Sequence, residues 1–393
     1  MFLENTAGLF WLLLPVAAVS GWFAARREQG RGRPAPTKRL APDYFKGINY
    51  LLNEQPDKAI EVFIKMLEVE SETVETHLAL GNLFRRRGEV DRAIRIHQNL
   101  IARINLTDEE RTLAVLELGM DYMRSGLLDR AEGLFKQLLE SGVHTRQALS
   151  QLVDIYQQEQ DWDRAIEYAR RLETARGKSL RQMIAHFYCE QAEDRLRIGD
   201  ARSATQYVER ALDEDPRCVR ASLLAGQVAL RAGDREQAIR CCQRIEQQDE
   251  DFIPEAIEPL MQCYRALGRT EECAEYLNQV ARKHAGITPV LALAELIAER
   301  DGIDAGVEYL TTALRKRPSV RGLDRLIHYT LAHADGRARD NLLLLQEFTS
   351  KLLENKSVYR CSNCGFTGKL LHWQCPSCKR WNTVKPIHGI EGE

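Results

Sequence analysis

Apolar positions along most of this chain recur with helical spacing, and the pattern itself repeats. A small residue is followed twelve positions later by an alanine at Gly47 and Ala59, Gly81 and Ala93, Gly119 and Ala131, Ala192 and Ala204, and Gly226 and Ala238. The same interval joins Val153 to Ala165, Met261 to Cys273 and Ala294 to Gly306, which makes eight units. The second landmarks are 34, 38, 34, 39, 34, 35 and 33 residues apart, so the period is 34 with two insertions. A period of that size predicts stacked helix pairs, because each pair leaves an apolar face bare until a neighbour covers it. These pairs should occupy residues 43–318. Beyond them, LIHYTLAH and NLLLLQEFTSKLL keep apolar helical spacing across a break near Asp335 and Gly336, predicting one more hairpin over 319–356.

The units resemble the tetratricopeptide repeat. Leu80, Gly81, Phe84, Gly88 and Ala93 match it in one unit; Leu118, Gly119, Tyr122, Gly126, Ala131 and Phe135 in the next; Leu152, Tyr156 and Ala165 in a third. Pro216 and Pro318 stand at the closing position of two later units. The pattern has a steric cause, since two helices cross closely only where side chains are small and an aromatic fills the space beside the crossing. The resemblance implies a right-handed superhelix whose groove is lined by the first helix of each pair. That lining would present Arg85, Asp154, Gln157, Glu193, Gln227 and Arg265, polar residues of mixed sign that could grip a peptide segment or a partner helix. The units at Met261 with Cys273 and at Ala294 with Gly306 depart from the pattern and suit capping or docking elements.

The N-terminus carries a different signal. From Thr6 to Ala25 twenty residues pass without a charge, enough as a helix to span the roughly 30 Å of a bilayer's hydrocarbon core. Trp11 lies inside the run, Pro15 is a kink that membrane helices tolerate, and Trp22 sits near the end where indole rings favour the interface. Arg26, Arg27, Arg31, Arg33, Lys38 and Arg39 follow. Basic residues after an apolar run, not before it, argue against a cleaved signal and for a single-pass anchor over 1–27, with its N-terminus outside. Residues 28–42, with Gly30, Gly32, Pro34, Pro36 and Pro42, read as a basic tether beside the membrane.

Composition narrows the function classes. Fifty-five Lys and Arg against 57 Asp and Glu give a net charge of -2, too little field to draw the chain onto nucleic acid. Charged residues at 28% with aromatics at 7% suit exposed helical faces. Of ten cysteines, Cys189, Cys218, Cys241, Cys242, Cys263 and Cys273 are scattered in helical pattern and read as core thiols of a protein in a reducing compartment.

The other four, Cys361, Cys364, Cys375 and Cys378, form two C-x-x-C pairs separated by ten residues. Two such turns bring four thiolates around one tetrahedral position suited to zinc or a single iron. The segment 357–386 resembles a rubredoxin-like or zinc-ribbon knuckle pair, with Tyr359 before the first cysteine, Gly365 after the second and Pro376 in the second knuckle. It departs from rubredoxin in a shorter middle and in Lys379, where that family usually has glycine. A module of this size has little core, so bound metal should supply its stability. Four protein ligands leave no coordination site for water, which disfavours hydrolytic chemistry.

No phosphate-binding loop, H-E-x-x-H, G-x-S-x-G or dinucleotide-binding glycine motif occurs. The expected architecture is therefore all-α, a repeat solenoid with one membrane helix and a small metal module, and a docking protein rather than an enzyme. The order of parts resembles the lipopolysaccharide assembly protein B family of bacteria. That resemblance implies an adaptor on the cytoplasmic face of the inner membrane that presents LpxC, the deacetylase committing to lipid A synthesis, to the membrane protease FtsH, and so limits lipopolysaccharide production. Other inner-membrane envelope-assembly proteins are further expected partners, and the sequence leaves homo-oligomer formation open. Two alternatives share the sequence features: a scaffold that recruits envelope-synthesis enzymes without promoting degradation, and a rubredoxin-like electron carrier using iron.

Overall fold

The computed structural model describes residues 42–53, 55–69, 74–354 and 356–393, together with Val19 and Trp22. Val19 and Trp22 are helical and exposed. Thr6, Trp11, Pro15, Ala25 and tether residues 28–41 lie outside the described residues, as does the expected membrane span apart from Val19 and Trp22; Pro42, expected as the tether's last residue, begins a helix. Among the described residues no helix is long and apolar enough to cross a membrane.

Two compact units divide the chain, Met1–His144 and Thr145–Glu393. Among the described residues the first holds three helix pairs: α1 (Pro42–Leu52) with α2 (Pro56–Val69), α3 (Val74–Arg87) with α4 (Val90–Ile101), and α5 (Asp108–Ser125) with α6 (Leu128–Glu140). The second holds six: α7 (Thr145–Gln158) with α8 (Trp162–Arg176), α9 (Arg181–Arg197) with α10 (Ala201–Glu214), α11 (Val219–Arg231) with α12 (Arg235–Gln248), α13 (Ile253–Ala266) with α14 (Thr270–Lys283), α15 (Thr288–Asp301) with α16 (Ile303–Lys316), and α17 (Val320–Leu331) with α18 (Gly336–Glu354). A short 3-10 turn, Glu250–Phe252, leads into α13. The expected extra hairpin is the pair α17 and α18. The two insertions fall where α5 and α9 reach 18 and 17 residues, against 14 in α3, α7, α13 and α15. An insertion of four or five residues has become one extra helical turn.

Three of the landmark glycines, Gly47, Gly81 and Gly119, are small because a ring lies against them. A methyl group on Gly47 would stand 2.6 Å from Phe63, on Gly119 2.6 Å from Phe135, and on Gly81 against the His97 ring. In each case the ring stands sixteen positions later and is fully buried. Where the first position is larger, as at Val153, the residue sixteen on is the buried alanine Ala169, so the crossing keeps its total volume.

Turns within the pairs use the left-handed backbone at Gly88, Gly126, Gly199, Gly233 and Gly268. Gln160 takes that place between α7 and α8 with φ 58, at a cost of roughly 1 kcal/mol that glycine would not incur. The following aspartates, Asp161, Asp200 and Asp234, cap the second helices by accepting from the N–H of Arg164, Ser203 and Gln237.

Candidate metal centre and its seat on the repeats

Residues 359–386 form a three-stranded antiparallel sheet in the order β2-β1-β3, with β1 Tyr359–Cys361, β2 Thr367–Gly368 and β3 Val384–Pro386. Two knuckles carry the cysteines, and their backbones repeat each other. Cys361 N–H donates to Phe366 O at 2.7 Å and Gly365 N–H to Cys361 O at 3.0 Å; Cys375 N–H donates to Arg380 O and Lys379 N–H to Cys375 O, both at 2.9 Å. The residue after each second cysteine is left-handed, Gly365 at φ 77 and Lys379 at φ 57. Lysine thus keeps the knuckle conformation that glycine adopts more cheaply.

The four sulfurs lie within 4.8 Å of one another, with Cys361 and Cys378 3.8 Å apart and Cys364 and Cys375 3.6 Å apart. A metal bound by four thiolates at about 2.3 Å requires sulfur edges of roughly 3.8 Å, so the cage fits one zinc or iron ion. Such an ion would act as a cross-link between the knuckles, since protein sulfur fills all four positions. Burial opposes ionisation of Cys361, but Thr383 and the backbone N–H groups of Cys364 and Asn363 bring its thiol down to about 6. Cys378 is lowered chiefly by the Arg380 N–H. Burial pushes Cys375 up to about 11, against N–H groups from Cys378 and Ser377.

The module sits on the first helices of the second unit. Trp381 stacks on His186 of α9 at 5.1 Å between ring centroids, meets Phe187 edge-on at 5.9 Å, and lies under the Arg220 guanidinium of α11 at 6.0 Å. Its indole N–H donates to Gln157 Oε1 of α7 at 2.9 Å, and Gln374 Nε2 donates to the same oxygen at 3.2 Å. Trp373 stacks on Phe252 at 5.3 Å. Lys385 pairs with Asp249 at 2.9 Å and Asp251 at 2.7 Å, and Tyr359 OH donates to Glu255. Burial would raise Asp251, yet Lys385 and His388 hold it below the usual carboxylate range. Burial, helped by Arg220, depresses His186 to about 3, so its ring is neutral between the indoles. The tail completes the seat: Val320 N–H donates to Ile390 O at 2.8 Å, and the Glu393 carboxylate accepts from Thr288 N and Oγ1 at the start of α15 and pairs with Arg321.

The groove residues expected from sequence divide accordingly. Gln157 holds the metal module. Glu193 pairs with Arg220 at 2.8 Å, and with Gln227, Arg220, Glu255, Leu371 and Trp373 it lines a cavity of about 560 Å³ between the helices and the module. Arg265 bridges Glu295 and Glu299, each at 2.7 Å. Asp154 accepts from Gln157 Nε2 at 3.3 Å, and its protein surroundings push its carboxyl up to about 6 against the pull of Arg176. Arg85, in the first unit, donates to Asn82, Glu117 and the buried Asp121, which also binds His97. Sequence reasoning did not single out Trp373, Trp381, His186, Phe252, Arg220 or Lys385. Two tryptophans in a module with almost no core of its own were the available signal that it leans on something else.

The rubredoxin metal binding domain family matches residues 359–386, and tetratricopeptide repeat families match 76–112, 116–179 and 189–251. Lipopolysaccharide assembly protein B of Escherichia coli strain K12 is 42% identical over 385 residues, covering 98% of this chain and 99% of that protein. The Haemophilus influenzae protein of the same name is 37% identical over 393 residues, with the same shares. Among solved structures, the C-terminal part of a TPR repeat-containing protein from Cytophaga hutchinsonii matches 67% of this chain and 98% of its own at 14% identity, with a TM-score of 0.38. Identity at that level over both full lengths, with the repeats and the four-cysteine module in the same order, means that this chain belongs to the lipopolysaccharide assembly protein B family.

Proposed function

We propose that this chain is a non-enzymatic adaptor of the bacterial inner membrane that limits lipopolysaccharide synthesis by presenting the deacetylase LpxC to the membrane protease FtsH. The observation that carries this reading is the near end-to-end likeness to proteins named for lipopolysaccharide assembly. The donor set adds a chemical reason, since a metal enclosed by four protein sulfurs has no open position at which to bind and activate a substrate. Stacked helix pairs offer docking surface, and an anchor over residues 1–27 would raise the effective concentration of that surface beside a membrane protease. Within residues 145–393 the metal module packs on α7, α9 and α11, so a partner docking on those helices would meet the module beside them.

The test is the half-life of LpxC after synthesis is stopped, in cells with and without this chain. Loss of the chain should lengthen it, and trapping on a proteolytically inactive FtsH should recover chain and deacetylase together. An unchanged half-life with altered lipopolysaccharide content would replace this reading with the recruitment scaffold. Removing residues 1–27 should release the chain from the membrane fraction and lengthen the half-life as deletion does.

A further inference from the structure

We propose that Cys189 and Cys218 are a disulfide-forming pair, a modification site at which a small peroxide ties α9 to α11 beneath the seat of the metal module. Their sulfurs are 3.9 Å apart and both residues are buried, so the bond of about 2.05 Å needs only a modest approach. Both belong to one buried cluster that also holds Ala185, Ala192, Leu196, Ala221 and Leu224.

The two thiols are unequal. Cys218 occupies the N-cap position of α11, at the positive end of the helix dipole, and Arg220 is two residues on. The hydrogen bond from Cys189 is the largest influence lowering Cys218; burial opposes it, and the Ala221 N–H and Arg220 assist. Cys189, in the middle of α9, is pushed well up by burial. Cys218 is therefore the attacking thiolate. Its sulfur takes one oxygen of the peroxide, the other oxygen leaves as water, and Cys218 becomes a sulfenic acid. Cys189 sulfur then displaces that hydroxyl, which departs as water with the Cys189 proton. Two thiols and one peroxide give one disulfide and two waters. A water-sized oxidant suits a buried pair, reached by local opening.

The position gives the bond a consequence. His186 and Phe187 on α9, and Arg220 on α11, are three of the four groups that hold Trp381. A link between the helices fixes the spacing of these groups.

The experiment uses the full chain with its metal bound, treated with hydrogen peroxide, alkylated, digested with trypsin and read by mass spectrometry. Peptides 182–195 and 218–220 should appear joined, lighter by two hydrogens, and should separate on reduction. Cys241, Cys242, Cys263 and Cys273, whose thiols burial pushes up, should stay alkylatable, and the metal should stay bound. Cys189→Ala should leave Cys218 as a sulfenic acid that dimedone traps, whereas Cys218→Ala should leave Cys189 unoxidised. The proposal fails if both thiols are still alkylated at doses that strip the metal, if Cys218 joins a different cysteine, or if dimedone finds no Cys218 adduct in the Cys189→Ala chain.

Discussion

Replacing Trp381 by alanine isolates the contact between the metal module and the repeats, because the indole touches four groups on three helices and none of the metal ligands. The stack on His186 and the edge contact with Phe187 are worth about 0.5–1.5 kcal/mol each beyond area. The Arg220 contact adds roughly 0.5–1 kcal/mol, and the bond to Gln157 about 1 kcal/mol net. Together they reach about 3–4 kcal/mol, near the low end for deleting a packed tryptophan, as befits a ring that keeps some exposure. Since about 1.4 kcal/mol is tenfold, the fraction of molecules with an open seat should rise about 150- to 700-fold. His186 reports it. Its neutral ring is 2% exposed, so it reacts with diethyl pyrocarbonate only while the module is lifted, and the rate at peptide 182–195 follows the open population. Trp381→Phe, which keeps the stack and loses the hydrogen bond, should raise the rate roughly fivefold. Metal content and far-UV dichroism should not change in either variant. A His186 rate within about twofold of the parent's in Trp381→Ala would refute the assignment of the seat to this ring.

Stripping the metal with a strong chelator should release the near-UV signal of Trp373 and Trp381 and open residues 357–386 to protease while helicity persists; an unchanged near-UV spectrum would show that the seat alone holds the module. His186 is held near 3 in the folded chain, against about 6.5 when exposed. The unfolded chain therefore binds the extra proton in that window, and stability present above pH 6.5 should fall by up to about 1.4 kcal/mol per unit as pH drops toward 3. In His186→Phe, urea midpoints measured from pH 7 to pH 5 should lose that part of the slope. Gln160→Gly should raise stability by about 0.5–1 kcal/mol in urea, because φ 58 at that turn strains any residue with a Cβ; a loss of stability would mean that the Gln160 side chain does more than fill the turn.

The helix pairs were legible because their determinants are local. Gly81 and Ala93 stand on the two helices of one hairpin, and the ring that demands the glycine, His97, follows sixteen residues later. The insertions could be counted but not placed, since the same four or five residues lengthen either a loop or a helix; the Thr107 capping box, which starts α5 early, favours the helix. The cysteine cage was equally local, four ligands within Cys361 to Cys378. The seat was not. Trp381 meets Gln157 across 224 residues and Lys385 meets Asp251 across 134, and no spacing rule reaches that far. Gln157 and Glu193 have the outward, polar look of residues awaiting a partner. In Gln157 the partner is the chain's own C-terminal module.

The metal and the seat then form one mechanical unit. Trp373 lies two residues before Cys375 and Trp381 three after Cys378, so the second knuckle stands between the two indoles. Their targets are separate elements, Phe252 before α13 and His186 on α9. Both rings can be seated at once only if the knuckle holds them at the right separation, and within a module whose buried core is Cys361, Cys375 and Val384 the metal is what fixes the knuckle. A metal in that closed cage would thereby act on the surface formed by α7, α9 and α11 through Trp373 and Trp381, which flank the second knuckle.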